Sequence, residues 1–379
     1  MKRRDFIHKA SIGAVLPALF GKYNVKALAT SSWINSLTAT ETDHVLVIVQ
    51  MFGGNDGLNC VVPIDQYNNL ATARNNILIP ENKLLYLNGN TKTAFNPAMD
   101  GMKQLFDEGK MHIVQGVGYP SPTFSHFRST DIWMSASEAT ENVYSGWVGR
   151  YLQSEYPNYP INFPNTAVPD PLALQIGAQV SLTLQGVQTQ MGMSISTDGT
   201  FYNVDDETDL FNVTGYAGAE LAHIRQVARQ TFKYTDVIKT AYNRGENKTT
   251  YPTMNTLADQ LKIVARLIKG GLKTRVYTVT MDGFDTHADQ ILQGDVTGVN
   301  PTIERSPDIS ANVPMQYDFR SVYASVLKDW FCVPNTTLQT IMLRNFQPLR
   351  IVNSPSCITS RAFIMRVCRT GQLRKFGQC

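Results

Sequence analysis

The sequence predicts an α/β fold organised on a mostly parallel sheet, and two stretches carry most of that expectation. The first is His44 to Asn59, HVLVIVQMFGGNDGLN, where an apolar run from Val45 to Met51 meets Phe52, two glycines, Asn55 and Asp56. Four of its seven positions are Val or Ile, a composition that suits a strand buried on both faces, as in parallel sheets. The second is Arg275 to Met281, RVYTVTM, which runs into Asp282-Gly283-Phe284-Asp285-Thr286-His287. Ligands of open α/β sheets bind outside the carboxyl ends of the strands. Both carboxylate-bearing turns therefore fall where a site is expected.

At 379 residues the chain is long enough for one large α/β domain or two smaller ones. Hydrophobic residues at 43% and charged residues at 17% describe a globular protein, not a disordered one. The net charge of +3 conceals an uneven distribution. Residues 1–29 carry six basic side chains against Asp5, a net of +5, and residues 344–379 carry seven basic and no acidic ones, a net of +7. The body from 30 to 343 is left at −9, which argues against nucleic acid as a partner.

The first basic cluster reads as a leader. Lys2-Arg3-Arg4-Asp5-Phe6-Ile7 sets paired arginines before an apolar run from Ala10 to Phe20, and Ala27-Leu28-Ala29 offers small residues to a signal peptidase. This layout predicts a twin-arginine signal over 1–29, passage through the twin-arginine translocase, and a periplasmic or extracellular mature protein. Pro17 and Gly21 interrupt the run and no later segment is long and apolar enough, so no stable membrane span is expected. The five cysteines include no CxxC pair and no metal-ligand spacing, and Cys60 reads as a small core residue.

In chain order, 30–43 is a polar Ser/Thr linker. Asp65 to Asn75 and Asn96 to Lys110 read as helices, the second with Met99, Met102, Leu105 and Phe106 at helical spacing. Met111 to Val117 is expected as a strand closing a β–α–β unit. A helix begins near Ser125. Residues 145–215 read as a cap or insertion of strands and turns, with Val180, Leu182 and Leu184 alternating to one face. Amphipathic helices follow over Ala217 to Arg244 and Met254 to Lys269, the latter ended by Gly270-Gly271. After the second strand, a helix is expected to run to Phe331 and a short one from Thr337 to Phe346. Residues 351–379 form an irregular basic tail.

The chemistry-bearing residues sit at three of these junctions. Gly53-Gly54-Asn55-Asp56-Gly57 is either a tight turn or a turn that presents Asp56 to a metal. Ser125 is either the N-cap of its helix or a nucleophile at an anion-binding helix start, and His126 is either a ligand or a helix-surface residue. Asp282, Asp285 and His287 place two carboxylates and an imidazole within six residues, a donor set that suits zinc, manganese or iron and calcium less well.

Taken in order, the Lys2-Arg3-Arg4-Asp5-Phe6 leader, GGNDGLN at 53–59, Ser125-His126-Phe127, DGFDTH at 282–287 and QYDFRSVYA at 316–324 resemble the twin-arginine-exported family DUF1501 over most of residues 1–350. The resemblance implies membership of the alkaline phosphatase and sulfatase superfamily. It further implies an α/β/α sandwich over 44–350 and a two-metal site at the strand ends acting on a phosphate or sulfate ester. It places Asp56 at the first metal-binding carboxylate, Ser125 at the nucleophile, and Asp285 and His287 at later metal ligands. The pattern breaks after His287. Family members continue with a strand ending in Ser-Glu-Phe-Gly-Arg and a Thr-Asp-His-Gly motif that supplies further ligands. Only 25 residues separate His287 from Val313, and neither motif is present. The expectation is a sheet incomplete in its C-terminal third and an incomplete metal site. Three readings follow from it: an impaired metal-dependent ester hydrolase, a non-catalytic exported binding or structural protein, or a misassembled copy of a longer protein.

Overall fold

The computed structural model describes residues 44–122, 125–196, 233–284 and 315–352. Its strands are β1 (Leu46–Met51), β2 (Val61–Pro63), β3 (Leu85–Tyr86), β4 (Thr93–Phe95), β5 (Val117–Gly118), β6 (Ala173–Ile176), β7 (Met193–Ile195), β8 (Val276–Met281) and β9 (Tyr317–Asp318). The helices are α1 (Gly57–Cys60), α2 (Tyr67–Ala73), α3 (Asp100–Asp107), α4 (His126–Ser135), α5 (Trp147–Glu155), α6 (Thr256–Lys269), α7 (Phe319–Ser325) and α8 (Asn335–Met342). A further helical stretch covers 233–244, and a π-helical turn, Val326–Trp330, extends α7. No helix among the described residues is long and apolar enough to cross a membrane.

The central sheet has the order β1-β8-β6-β7, and every neighbouring pair is parallel. β1 and β8 run in register over their whole length, from Leu46 opposite Val276 to Met51 opposite Met281. Alternate side chains feed two cores, as the period of a strand requires. Leu46, Ile48, Ala173 and Val276 pack with α4, α5, α7 and α8 through residues such as Ile132, Tyr151, Phe319 and Ile341. Val47, Leu174, Ile176, Tyr277 and Val279 pack on the opposite face against Tyr234, Ile238, Ile263 and Leu267 from 233–244 and α6. The result is an α/β fold with a parallel central sheet and helices on both faces.

Two corrections concern topology. Of the stretch expected as a strand from Met111 to Val117, only Val117 joins a named strand, β5, which it forms with Gly118 and which pairs in parallel with β9, not with the central sheet. Gly116, at φ +65°, turns the backbone out of extended geometry, and its carbonyl accepts from Gln316 and Tyr317. Residues 145–215 are also not a cap throughout, because β6 and β7 are integral strands of the central sheet. Val180 to Leu184 is not an alternating strand either: Leu182–Leu184 is one 3-10 turn opened by Ser181, whose hydroxyl accepts from the Thr183 amide.

Other elements follow their local signals. α6 starts where Asn255 accepts from the Ala258 amide at 2.9 Å, and Gly271 beyond its end takes φ +91°. α3 begins at Asp100, later than Asn96, because Asn96 is buried and holds the preceding turn. Its side-chain Nδ2 donates to the Asn59 carbonyl and its side-chain oxygen accepts from the Ala98 amide. Between α1 and α3 the chain folds a small antiparallel sheet, β2-β4-β3, over its own cores.

Burial of tyrosines within this frame sets an alkaline limit. Tyr151, Tyr159, Tyr234 and Tyr277 are buried, and burial raises all four phenol pKa values. Tyr234 is pushed up to about 12, with the Asp170 carboxylate adding to the effect of burial. Folded pKa values above the ordinary 10.0 mean that the unfolded chain releases these protons first. The stability they contribute is full below pH 10 and is lost as pH rises through the folded values. Tyrosinate absorbance of these residues is therefore expected to rise together with loss of the circular dichroism signal. Their titration in a still-folded protein near pH 10 would contradict this account.

Candidate functional site

The carboxyl ends of β1 and β8 lie side by side, and the ladder continues past them. The Phe52 amide donates to the Met281 carbonyl at 2.9 Å, and the Phe284 amide donates back to the Phe52 carbonyl at 3.3 Å. β8 outruns its other neighbour, since β6 meets it only as far as Gln175 opposite Thr278. Gln260 of α6 takes over there: its side chain both donates to the Thr280 carbonyl and accepts from the Thr280 amide, each at 2.8 Å. One glutamine thus satisfies the backbone that β6 leaves unpaired and fixes the strand end from which Asp282 projects.

At the end of β1, Gly53 and Gly54 take φ values of +97° and +69°, which side chains other than glycine rarely adopt. Gly54 has a second constraint. A Cβ built on it would lie 2.7 Å from Cε1 of His126, so the imidazole at the start of α4 rests against this glycine. The N-terminus of α4 is thereby brought to the end of β1. Ser125 caps that helix, its hydroxyl accepting from the Arg128 amide at 3.3 Å. Arg128 then ties the far side of α4 down by donating to the carbonyls of Glu138, Ala139 and Glu141. Ser125 and His126 are both exposed, so the hydroxyl is open to a substrate while it caps.

Asp56 opens α1 and is held in place. Arg74, the residue that ends α2, places Nη1 at 2.8 Å from Oδ1 and Nη2 at 2.5 Å from Oδ2, a bidentate pair. Asn59 adds a bond from Nδ2 to Oδ2 at 3.0 Å. Asn55 accepts from the buried Cys60 thiol, which also donates to the Asp56 carbonyl at 2.9 Å. Cys60 is thus a core residue that stiffens the turn, as its setting predicts.

The structure therefore gathers Asn55, Asp56, Ser125, His126 and the turn bearing exposed Asp282 at one edge of the sheet. Asp285 and His287 lie outside the described residues. Among the described residues no three His, Cys, Asp or Glu side chains gather as a metal-binding group. With Asp56 committed to Arg74, this portion of the site does not by itself fit a metal. Sequence reasoning missed Arg74, Asn59 and Gln260. Asn59 is inside the GGNDGLN motif, but nothing in the spacing of Arg74 or Gln260 marks either as a partner of the strand ends. No protein-family model, curated protein or solved structure matches the chain.

Proposed function

We propose that the crevice at the ends of β1 and β8 is the site of an exported, metal-dependent hydrolase of phosphate or sulfate esters, built on an alkaline phosphatase-like α/β/α sandwich. The observation that carries the reading is convergence. The Gly53–Asp56 turn, the start of α4 and the Asp282 turn come from three distant stretches of chain and meet at the edge where α/β sheets bind ligands. In this reading the backbone amides at the start of α4 receive the phosphate or sulfate. Ser125 Oγ gives up its proton and bonds to phosphorus or sulfur, and the ester oxygen leaves and takes up a proton as the alcohol. Water then hydrolyses the serine ester, releasing phosphate or sulfate and restoring the hydroxyl. The resemblance assigns Asp56, Asp285 and His287 to a divalent cation, zinc, manganese or calcium, with Asn55, His126 and Asp282 beside them; Asp56 is already paired with Arg74, and the ligand set is incomplete in this chain. Such a cation supplies Lewis-acid stabilisation of charge on the transferring group.

A second reading has its own support. The bidentate Arg74 pair already neutralises Asp56, which favours an exported binding protein that holds an anion at the start of α4 without turnover. Aryl phosphate and aryl sulfate hydrolysis, measured with excess manganese or zinc, separates the two. Turnover that disappears in Asp285→Ala is the expected result. Anion binding without any turnover would replace the hydrolase with the binding protein.

A further inference from the structure

We propose that a cleft at the amino ends of β6 and β8 binds a small apolar amino acid, its ammonium on Asp170 and its carboxylate toward Lys273. The cleft has a volume of about 100 Å³, and Leu152, Val168, Asp170, Leu172, Lys273 and Arg275 are among the residues that line it. The parallel strands bring it together: Asp170 stands three residues before β6 and Lys273 three residues before β8. The crevice at the carboxyl ends of β1 and β8 lies at the other end of these strands, so this inference does not depend on the hydrolase.

Asp170 carries the argument. The residue is 7% exposed, so its carboxylate is largely withdrawn from water. Its Oδ2 accepts from the Lys273 amide at 2.7 Å, while Oδ1 has no hydrogen-bond donor among the described residues. A buried carboxylate oxygen without a donor is costly, and this one belongs to a wall of the cleft. The acceptor is also held in place before any ligand arrives. The Thr274 hydroxyl donates to the Pro171 carbonyl at 2.7 Å, clasping the two strand starts together, and Pro171 restricts the backbone of Asp170.

The other charges select what Oδ1 receives. Lys273 is exposed, and its ammonium makes no hydrogen bond or ion pair among the described residues. Arg275 adds a second positive charge, its guanidinium 4.9 Å from the centre of the Phe331 ring. A simple amine would satisfy Asp170 but face two cations. A simple carboxylate would satisfy the cations but face Asp170. A zwitterion answers both. Leu152 and Leu172 are buried and Val168 is half-buried, so they offer apolar surface to a short side chain. An apolar cavity of about 150 Å³ takes up benzene. A cleft of about 100 Å³ therefore suits an amino acid no larger than valine, with its carboxylate outward at the exposed lysine.

The test is calorimetric titration of the full chain with L-valine, with N-acetylvaline, which lacks the ammonium, and with valinamide, which lacks the carboxylate. Valine is expected to saturate one site below about 10 mM, and each analogue to bind about tenfold or more weakly, the scale of one charge-assisted contact. Lys273→Gln should weaken valine about tenfold and leave valinamide unchanged, because that ligand offers no carboxylate to lose. Asp170→Asn should weaken valine and leave N-acetylvaline unchanged. If circular dichroism shows D170N unfolded, the comparison of valine with N-acetylvaline on the wild type reads the same contact. No saturation by valine in that range overturns the proposal. So does either analogue binding as tightly as valine, or an unaltered valine affinity in K273Q.

Discussion

Replacing Arg150 with alanine is expected to destabilise the protein by about 3 kcal/mol or more, the scale of three buried carbonyl acceptors left unpaired at once. Arg150 sits in α5, is only 6% exposed, and hydrogen-bonds no acidic side chain among the described residues. It spends its guanidinium on backbone carbonyls instead: Nε donates to Ile341 at 2.5 Å, Nη1 to Ser145 at 2.6 Å and Nη2 to Ser135 at 2.7 Å. Burial without a counter-charge lowers its pKa to about 10. These three carbonyls belong to the end of α4, the segment before α5, and α8, so one side chain ties together the helices on one face of the sheet. Alanine would strand all three acceptors, and an unpaired buried acceptor costs roughly 1–3 kcal/mol. Lysine is expected to recover little, since a single ammonium lacks the planar fork that reaches three directions. Urea unfolding measures the loss, and a variant within about 0.5 kcal/mol of the wild type, the range of an ordinary surface change, would contradict this role.

Arg320→Met is expected to cost a similar amount, about 3–5 kcal/mol, by stranding charges instead of carbonyls. The Arg320 side chain is 2% exposed and binds Asp318 with Nε at 2.8 Å and Nη2 at 2.6 Å, while Nη1 reaches Glu138 at 2.9 Å. Arg344 joins the network from outside through Glu138 and Glu141. Burial alone would lower the guanidinium pKa, but hydrogen bonds and charge from Asp318, then Glu138, outweigh it and the pKa is raised. The guanidinium also lies over the ring of Phe346, 4.5 Å from its centre. Removing the cation takes the arginine partner from Asp318 and leaves Glu138 with Arg344 alone. Asp318 additionally caps α7 through the Arg320 amide, so the double variant Asp318→Asn with Arg320→Met should lose less than the two single losses added. Urea unfolding of the three variants closes that cycle, and simple additivity would show that the pair does not act as a unit.

These two arginines show how much of the fold was legible. The apolar runs of β1 and β8 were readable because strand burial on both faces leaves a compositional mark, and their glycine-rich ends marked where the two strands stop side by side. Ser125 announced its helix by ordinary capping chemistry, and Gly270-Gly271 marked the end of the helix that Asn255 caps. QYDFRSVYA, by contrast, served only as a motif, and its content is structural: Arg320 pairs with Asp318 two residues before it and also with Glu138, which is far away in the chain. Long-range partners leave no local period. For the same reason Arg74 and Gln260 were invisible until the fold set them against Asp56 and Thr280. β6, ALQI, is too short and too near glycines and prolines to declare itself a central strand, so residues 145–215 read as a cap.

Within the crevice, the residue with two roles is Ser125, and its replacement by alanine tests the central claim most directly. As a helix cap alone, Ser125 contributes about 1 kcal/mol to stability and nothing to turnover. As the nucleophile it is indispensable to any aryl phosphate or sulfate hydrolysis the protein performs. The measurement is kcat/KM for the wild type and Ser125→Ala under the same excess of metal, with unfolding followed in parallel. The account predicts a small loss of stability and a loss of turnover of about a thousandfold or more, the scale of a removed nucleophile. Turnover retained within about twofold, well under 1 kcal/mol of transition-state stabilisation, would contradict it and leave Ser125 as a cap.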